Sequence, residues 1–261
     1  MPDTATLLLL ILTGFIAGVC NAVAGGGTFF TLPVFLAAGL PPVLANASNA
    51  LAVWPGHILA SVTYRHLLWQ HRKMLLRVCL IGLIGAVIGA WLLSQVGNAR
   101  FRALIPMLIL VATLLFAFGK QIHDHFAHRP VPRSMSLEHL SLLAAFIQLI
   151  LAIYGGFFSA GLGVMLMAML MLFGVHDMQL NNAFKNAIAS VISTVAVLIF
   201  ILNGMVVWSH ALPAFAACIA GGIVGAKLAQ RLPAQWLKYT VVGTGLLLTV
   251  YYAWTIYGRH S

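Results

Sequence analysis

The chain has 261 residues, 62% of them hydrophobic and only 7% charged, with a mean hydropathy of +1.01 and a formal net charge of +10. Soluble domains carry about 25% charged residues, so this composition excludes a water-soluble domain and points to an all-α polytopic membrane protein. In a soluble chain the positive charge would suggest nucleic acid. Here Lys and Arg fall mostly in short segments between apolar runs, where membrane topology explains them, and no nucleic-acid partner is expected.

The first apolar run covers residues 5–24. No basic segment precedes it, and Asp3 stands there instead, so it reads as a first span rather than a secretory signal. It runs into NAVAGGGTFFTLP, Asn21 to Pro33, which places an Asn, three glycines and a Pro inside apolar sequence. One helix through residues 5–40 would be about 54 Å long, against a hydrocarbon core of roughly 30 Å. The chain must therefore break or turn, and Gly25, Gly26 and Gly27 supply the freedom to do so. A broken helix in lipid is tolerated only where its free backbone groups face protein or a water-filled cavity. The new helix start carries partial positive charge and free N–H donors, which suits an anion, and Thr28 could add a hydroxyl. Three glycines also serve close helix packing, so a plain turn is the competing reading.

A short apolar piece, about 27–40, leads to a span at 44–64 that opens with LANASNAL and contains His57. Asn46, Ser48 and Asn49 are costly in lipid, so they should face a partner or a cavity, or cap the helix. His57 either carries a coupling proton, its ordinary pKa being near 6.5, or packs as a hydrogen-bonded histidine. Spans follow at 74–95 and 101–119, and then the polar stretch 121–139 with two prolines reads as a surface linker. His123, His125 and His128 in this stretch resemble a metal tract, but they sit in polar sequence and no metal or other cofactor is expected.

The second half repeats the plan. A run at 139–158 meets a break at SAGLG, Ser159 to Gly163, followed by a short piece at 162–175. The next span, 183–202, opens with LNNAFKNAI, and spans at 210–229 and 236–257 complete the half. Lys185 stands near the start of its span, four residues after Asn181 and among Asn182 and Asn186. An intramembrane cation points to function and to an anionic partner, whereas a snorkelling lysine, or one paired with Asp177, is the structural alternative. The expected organisation is two homologous transmembrane repeats, 1–119 and 139–261, joined by a linker at 120–138, with about eight full spans and two short segments. If the short segments also cross, 11 basic residues fall on one face (Arg65, Arg72, Lys73, Arg77, Lys120, Arg129, Arg133, Lys185, Lys227, Arg231, Lys238) and 3 on the other (Arg100, Arg102, Arg259). The repeats are then inverted with both termini outside. If the short segments turn back, the split is 8 against 6, and the repeats run parallel.

Cys20, Cys79 and Cys218 lie in apolar sequence, are odd in number and show no metal spacing, so they read as small buried hydrophobes. The four carboxylates, Asp3, Asp124, Glu138 and Asp177, avoid the middle of every span. FFSAG lacks the Gly that a nucleophile elbow needs two residues before Ser159, where Phe157 stands. No enzymatic constellation is present in the sequence.

GFIAGVCNAVAGGGTFFTLPVFLAAGLPPVLANASNAL resembles the first-repeat signature of the sulfite exporter TauE/SafE family, in its GGG, the Pro after it and the Asn-rich tract. GGFFSAGLG, the Lys185–Asn186 tract and LNGMVVW resemble the second repeat. The resemblance implies a multi-pass plasma-membrane transporter for sulfur-containing anions such as sulfite or sulfonates; the alternatives are a transporter of another ligand class, such as a metal cation, or a non-transporting membrane scaffold. GLGV stands where the family pattern has a fuller G-x-G-G-G, which makes the two half-sites unequal. The expected substrate site comprises Asn21, Gly25, Gly26, Gly27, Thr28, Asn46, Asn49, Gly161, Gly163, Asn182, Lys185 and Asn186, with His57 as a candidate proton carrier. The expected partners are a small anion and the lipid bilayer, and a homodimer is one option for assembly.

Overall fold

In a computed structural model that describes residues 2–23, 26–126, 141–228 and 234–258, the chain forms eleven helices and, among the described residues, no strand. They are α1 (Thr4–Val23), α2 (Thr28–Ala37), α3 (Pro42–Thr63), α4 (Arg65–Gln70), α5 (Arg72–Val96) and α6 (Asn98–Phe126) in the first half. The second half contributes α7 (Leu142–Phe157), α8 (Leu162–Leu172), α9 (Met178–Leu202), α10 (Trp208–Leu228) and α11 (Ala234–Tyr257). Six helices, α1, α5, α6, α9, α10 and α11, are long and apolar enough to cross a membrane. Of the eight segments expected as spans, two fall outside that class. Helix α3 has the length, but it carries Asn46, Ser48, Asn49 and His57. Helix α7 has only 16 residues. Helix α6 runs to Phe126, so the first turns of the expected linker, with His123 and His125, are helical, while His128 lies outside the described residues.

The long helices turn apolar side chains outward. Leu76, Met107, Leu247 and Val250 are each more than 60% exposed, a surface that water would penalise and acyl chains accept. Exposed aromatics sit toward the helix ends, Trp208, Trp254 and Tyr257 at one end of the bundle and Trp69 and Tyr239 at the other. That is the depth at which amphipathic rings prefer the membrane interface. The protein is a multi-pass membrane protein.

The two short helices are surrounded by protein. One apolar cluster encloses Phe29, Leu32 and Phe35 of α2, and a second encloses Leu162, Leu166, Met169 and Leu170 of α8. This burial lets a helix of 10 or 11 residues end inside the bundle without presenting its free backbone groups to lipid.

Helix α1 lies along α10, and α5 along α7, at distances that only small residues allow. A Cβ at Gly14 would stand 2.5 Å from the Ala214 carbonyl oxygen, and one at Gly18 would stand 2.1 Å from that of Cys218. A Cβ at Gly89 would stand 2.1 Å from the Ile153 carbonyl oxygen, and one at Gly156 would stand 2.6 Å from that of Ala86. Contacts advance in the same direction along both partners, so each pair is parallel. Without a hydrophobic force between helices in lipid, such backbone approach supplies the packing energy.

Helices α3 and α9 cross at the centre and run antiparallel. The Val207 amide, just beyond the end of α9, donates to Ser48 Oγ near the start of α3 (2.9 Å). The Trp54 indole donates to Thr194 Oγ1 (2.9 Å) near the middle, and Leu68, beyond the end of α3, packs on Ala183 and Ala187 near the start of α9.

Gly18→Val should loosen α1 from α10 and lower stability by about 1–3 kcal/mol, as overpacking does, read as a lower melting temperature in detergent. Gly243→Ala in α11, where an added Cβ meets nothing within 4 Å, should leave that temperature unchanged or slightly higher.

Candidate functional site at the two helix breaks

Each break turns on a glycine with positive φ, where a side chain would be strained. Gly26 has φ +91° before α2, and Gly161 has φ +74° as the residue preceding α8. The expected residue Gly25 lies outside the described residues. The two breaks meet. Thr28 Oγ1, at the start of α2, stands 3.5 Å from Ser159 Oγ in the second break. Helix α6 passes both: a Cβ on Gly26 would come within 3.1 Å of the Phe116 ring, and one on Gly161 within 3.1 Å of Ala112.

Polar side chains hold the breaks in shape. Asn21, in the last turn of α1, accepts from the Gly27 amide (2.9 Å) through Oδ1. Thr31, one turn into α2, shares a short buried hydrogen bond with Asn49 Oδ1, which ties α2 to α3. Asn46 Nδ2 donates to the Phe157 carbonyl (3.0 Å), so an amide of the first half fixes the chain entering the second break. Tyr154 closes the same break from within by donating to the Ala160 carbonyl (2.7 Å). At the far end of α8, Asn181 Nδ2 donates to the carbonyls of Met167 (3.2 Å) and Val175 (3.1 Å).

These bonds refine the expected donor set. The Gly27 N–H is already taken by Asn21, and the amides of Leu162 and Val164 bond within the turn, to Ser159 and Gly161. The unspent polar capacity lies in side chains. Asn49 Nδ2 and Asn46 Oδ1 are buried with no hydrogen-bond partner, as is Asn181 Oδ1. Buried amides are normally satisfied, so Asn46 Oδ1 and Asn49 Nδ2 leave unspent hydrogen-bonding capacity beside the breaks.

Lys185 is 5% exposed, and its ammonium donates to Asn182 Oδ1 (3.1 Å). Asp177 does not neutralise it through that bond; the Asp177 carboxylate caps α9 by accepting from the Leu180 amide (2.7 Å). The lysine stem lies against the start of α8, its Cδ 3.7 Å from where a Gly163 Cβ would stand. A larger residue at position 163 would crowd that stem. His57 lies within electrostatic range of Lys185. Asn186 is buried and contributes its carbonyl to the Ser190 hydroxyl (2.7 Å).

The structure thus brings Asn21, Gly26, Gly27, Thr28, Asn46 and Asn49 together around the first break, and Gly161, Gly163, Asn182, Lys185 and Asn186 around the second. Thr31, Ser159 and Tyr154 also belong to the constellation. Thr31 carried a readable signal, since it sits one helical turn after Thr28 on a half-helix whose start was already suspect. Tyr154 carried none, because a tyrosine in an apolar run has no distinguishing neighbour.

The family model described as "Sulfite exporter TauE/SafE" matches residues 10–252 of the chain. A "Probable membrane transporter protein" of Haemophilus influenzae (strain ATCC 51907 / DSM 11121 / KW20 / Rd) is 26% identical over 93% of the chain and 92% of its own length. A "Probable membrane transporter protein ORF9" of Sinorhizobium sp is 29% identical over 96% of the chain and 94% of its own length. The "Probable membrane transporter protein YfcA" of Escherichia coli (strain K12) is 24% identical over 89% of the chain and 82% of its own length. No solved structure matches the chain. With nearly its whole length matched, the broken-helix bundle is a membrane transporter that belongs to the sulfite exporter TauE/SafE family.

Proposed function

We propose that the chain is a secondary transporter of a small sulfur-containing anion, such as sulfite or an organosulfonate, across the plasma membrane. The observation that carries this reading is Lys185: a buried cation on α9, bonded to a neutral amide and lying with its stem against Gly163 at the start of the half-helix α8. A buried charge without a counter-charge is costly, and an anionic ligand removes that cost. The positive end of the helix dipole and the unpartnered Asn49 amide favour an anion there as well. The family model's name supports the sulfur anion.

The organisation we infer is an inverted pair of repeats, 1–119 and 139–261, joined by a linker at 120–138. The register that pairs Leu44 with Leu180 also pairs Gly27 with Gly163, Asn46 with Asn182 and Asn49 with Lys185. Exchanging the halves maps the α1–α10 contact onto α7–α5, and the α3–α10 contact onto α9–α5. Helices α3 and α9, equivalent under this exchange, are antiparallel, which favours inversion over parallel repeats. Each short helix folds back on the helix after it, as the Thr31–Asn49 and Asn181–Met167 bonds indicate. On this reading α1 with α2, and α7 with α8, form two hairpins that enter from opposite faces and meet near the midplane. The connection after α3 carries Arg65, Arg72, Lys73 and Arg77 and faces the cytoplasm, whereas the α5–α6 end carries Arg100 and Arg102 and faces outside.

The close α1–α10 and α5–α7 packing joins each hairpin to a helix of the opposite repeat. Alternating access then moves two mixed lobes, α1, α2, α3 and α10 against α5, α7, α8 and α9, about the α3–α9 crossing. His57, near that crossing and within range of Lys185, is the candidate for the coupling proton.

Lys185→Met should abolish uptake or efflux of the anion in proteoliposomes, and abolish its thermal stabilisation of the purified protein, while membrane content stays normal. Undiminished transport by this variant would remove Lys185 from the site. Single cysteines at Ala99→Cys and Asn203→Cys should react with an impermeant thiol reagent from outside intact cells, whereas Gln70→Cys and His176→Cys should react only after permeabilisation. The same accessibility for all four would refute the inverted arrangement.

A further inference from the structure

Away from the breaks, a cavity of about 680 Å³ opens between the C-terminal end of α2, the start of α6 and the end of α11. Its volume falls within the roughly 300–1,000 Å³ of small-molecule sites. Pro33, Leu36 and Leu40 on one side and Ile105 and Leu248 on the other give it apolar surface, and Arg102, Thr255 and two tyrosines add polar groups. Arg102, exposed on the first turns of α6, and Tyr251 also line it. Tyr257 donates to the Ala103 carbonyl (2.6 Å), which holds the end of α11 on α6.

Depth and charge together select the occupant. The groove lies at the end of the bundle where Trp254 and Tyr257 are exposed, the level of the lipid headgroups. Met107 and Val250, on the flanking faces of α6 and α11, are exposed and turned to lipid. A groove open to acyl chains and lined with Leu, Ile and Pro fills with an acyl chain, and the arginine at its headgroup-level rim matches a phosphate. We propose that this groove is a binding site for an anionic phospholipid, with its chain against Leu36, Ile105 and Leu248 and its phosphate on Arg102. The wall it would support is α2, the half-helix whose other end meets the second break at Thr28 and Ser159. Lipid in the groove therefore braces one of the two elements that form the central site, and loss of the lipid should slacken it.

The test is thermal unfolding of the detergent-purified full chain with added phosphatidylglycerol, with phosphatidylcholine of the same chains, and with inorganic phosphate. Arg102→Gln, Arg102→Lys and the groove-filling Leu36→Trp are measured beside the wild type, and native mass spectrometry counts retained lipid. Phosphatidylglycerol should raise the wild-type melting temperature more than phosphatidylcholine does. Its binding should weaken at least roughly tenfold in Arg102→Gln, recover in part in Arg102→Lys, and fall in Leu36→Trp. Equal stabilisation by the two lipids, or a phosphatidylglycerol preference that survives both Arg102→Gln and Leu36→Trp, would overturn the proposal. So would an Arg102-dependent shift that inorganic phosphate reproduces, which would assign the arginine to a soluble anion.

Discussion

A peptide group in the hydrocarbon core has no water to bond, so every N–H and C=O must find a partner within the protein. This constraint shapes the whole molecule. Continuous helices meet it automatically, which accounts for the long elements α1, α5, α6, α9, α10 and α11. The two breaks do not meet it automatically, and the rest of the architecture supplies the remedy. Asn21, Asn46 and Tyr154 bond backbone groups around the breaks, and α2 and α8 are wrapped in apolar side chains so that their ends never reach lipid. The glycine-lined contacts of α1 with α10 and α5 with α7 hold the wrapping in place.

The two halves are alike in plan and unlike in charge. Around the first break the polar groups are neutral: Thr28, Thr31, Asn46 and Asn49. Around the second, Lys185 occupies the position that matches Asn49, and Val164 the position that matches Thr28. The two breaks, which touch at Thr28 and Ser159, therefore differ: the first is set among neutral polar side chains and the second beside a cation.

Much of this was legible in the sequence, for identifiable reasons. The apolar runs gave ten of the eleven helices described, all but the short α4, because lipid leaves a long apolar segment no alternative to a helix. The glycines at 26 and 161 were recognisable as break points because no other residue tolerates the positive φ they adopt. Asn46, Asn49 and Lys185 stood out because polar groups are rare in such runs. The sequence does not separate α3 and α7 from the other expected spans, although α3 carries Asn46, Ser48, Asn49 and His57 and the described part of α7 has 16 residues. It also ended α6 too early, because polar residues after 119 suggest a loop although nothing in them breaks a helix before the prolines.

By itself, the sequence determined that this is a helical membrane protein with two broken apolar stretches, and which polar residues lie near the breaks. Those features are local: they follow from apolar length, from glycine's backbone freedom and from the cost of amides in lipid. The tertiary structure alone decided that Thr28 meets Ser159, that Asn46 serves the opposite half, that the Gly27 amide is already spent on Asn21, and that each hairpin packs on a helix of the other half. Apart from the local Asn21–Gly27 bond, those pairings join residues far apart in the chain, a property of the assembled bundle that no segment encodes alone.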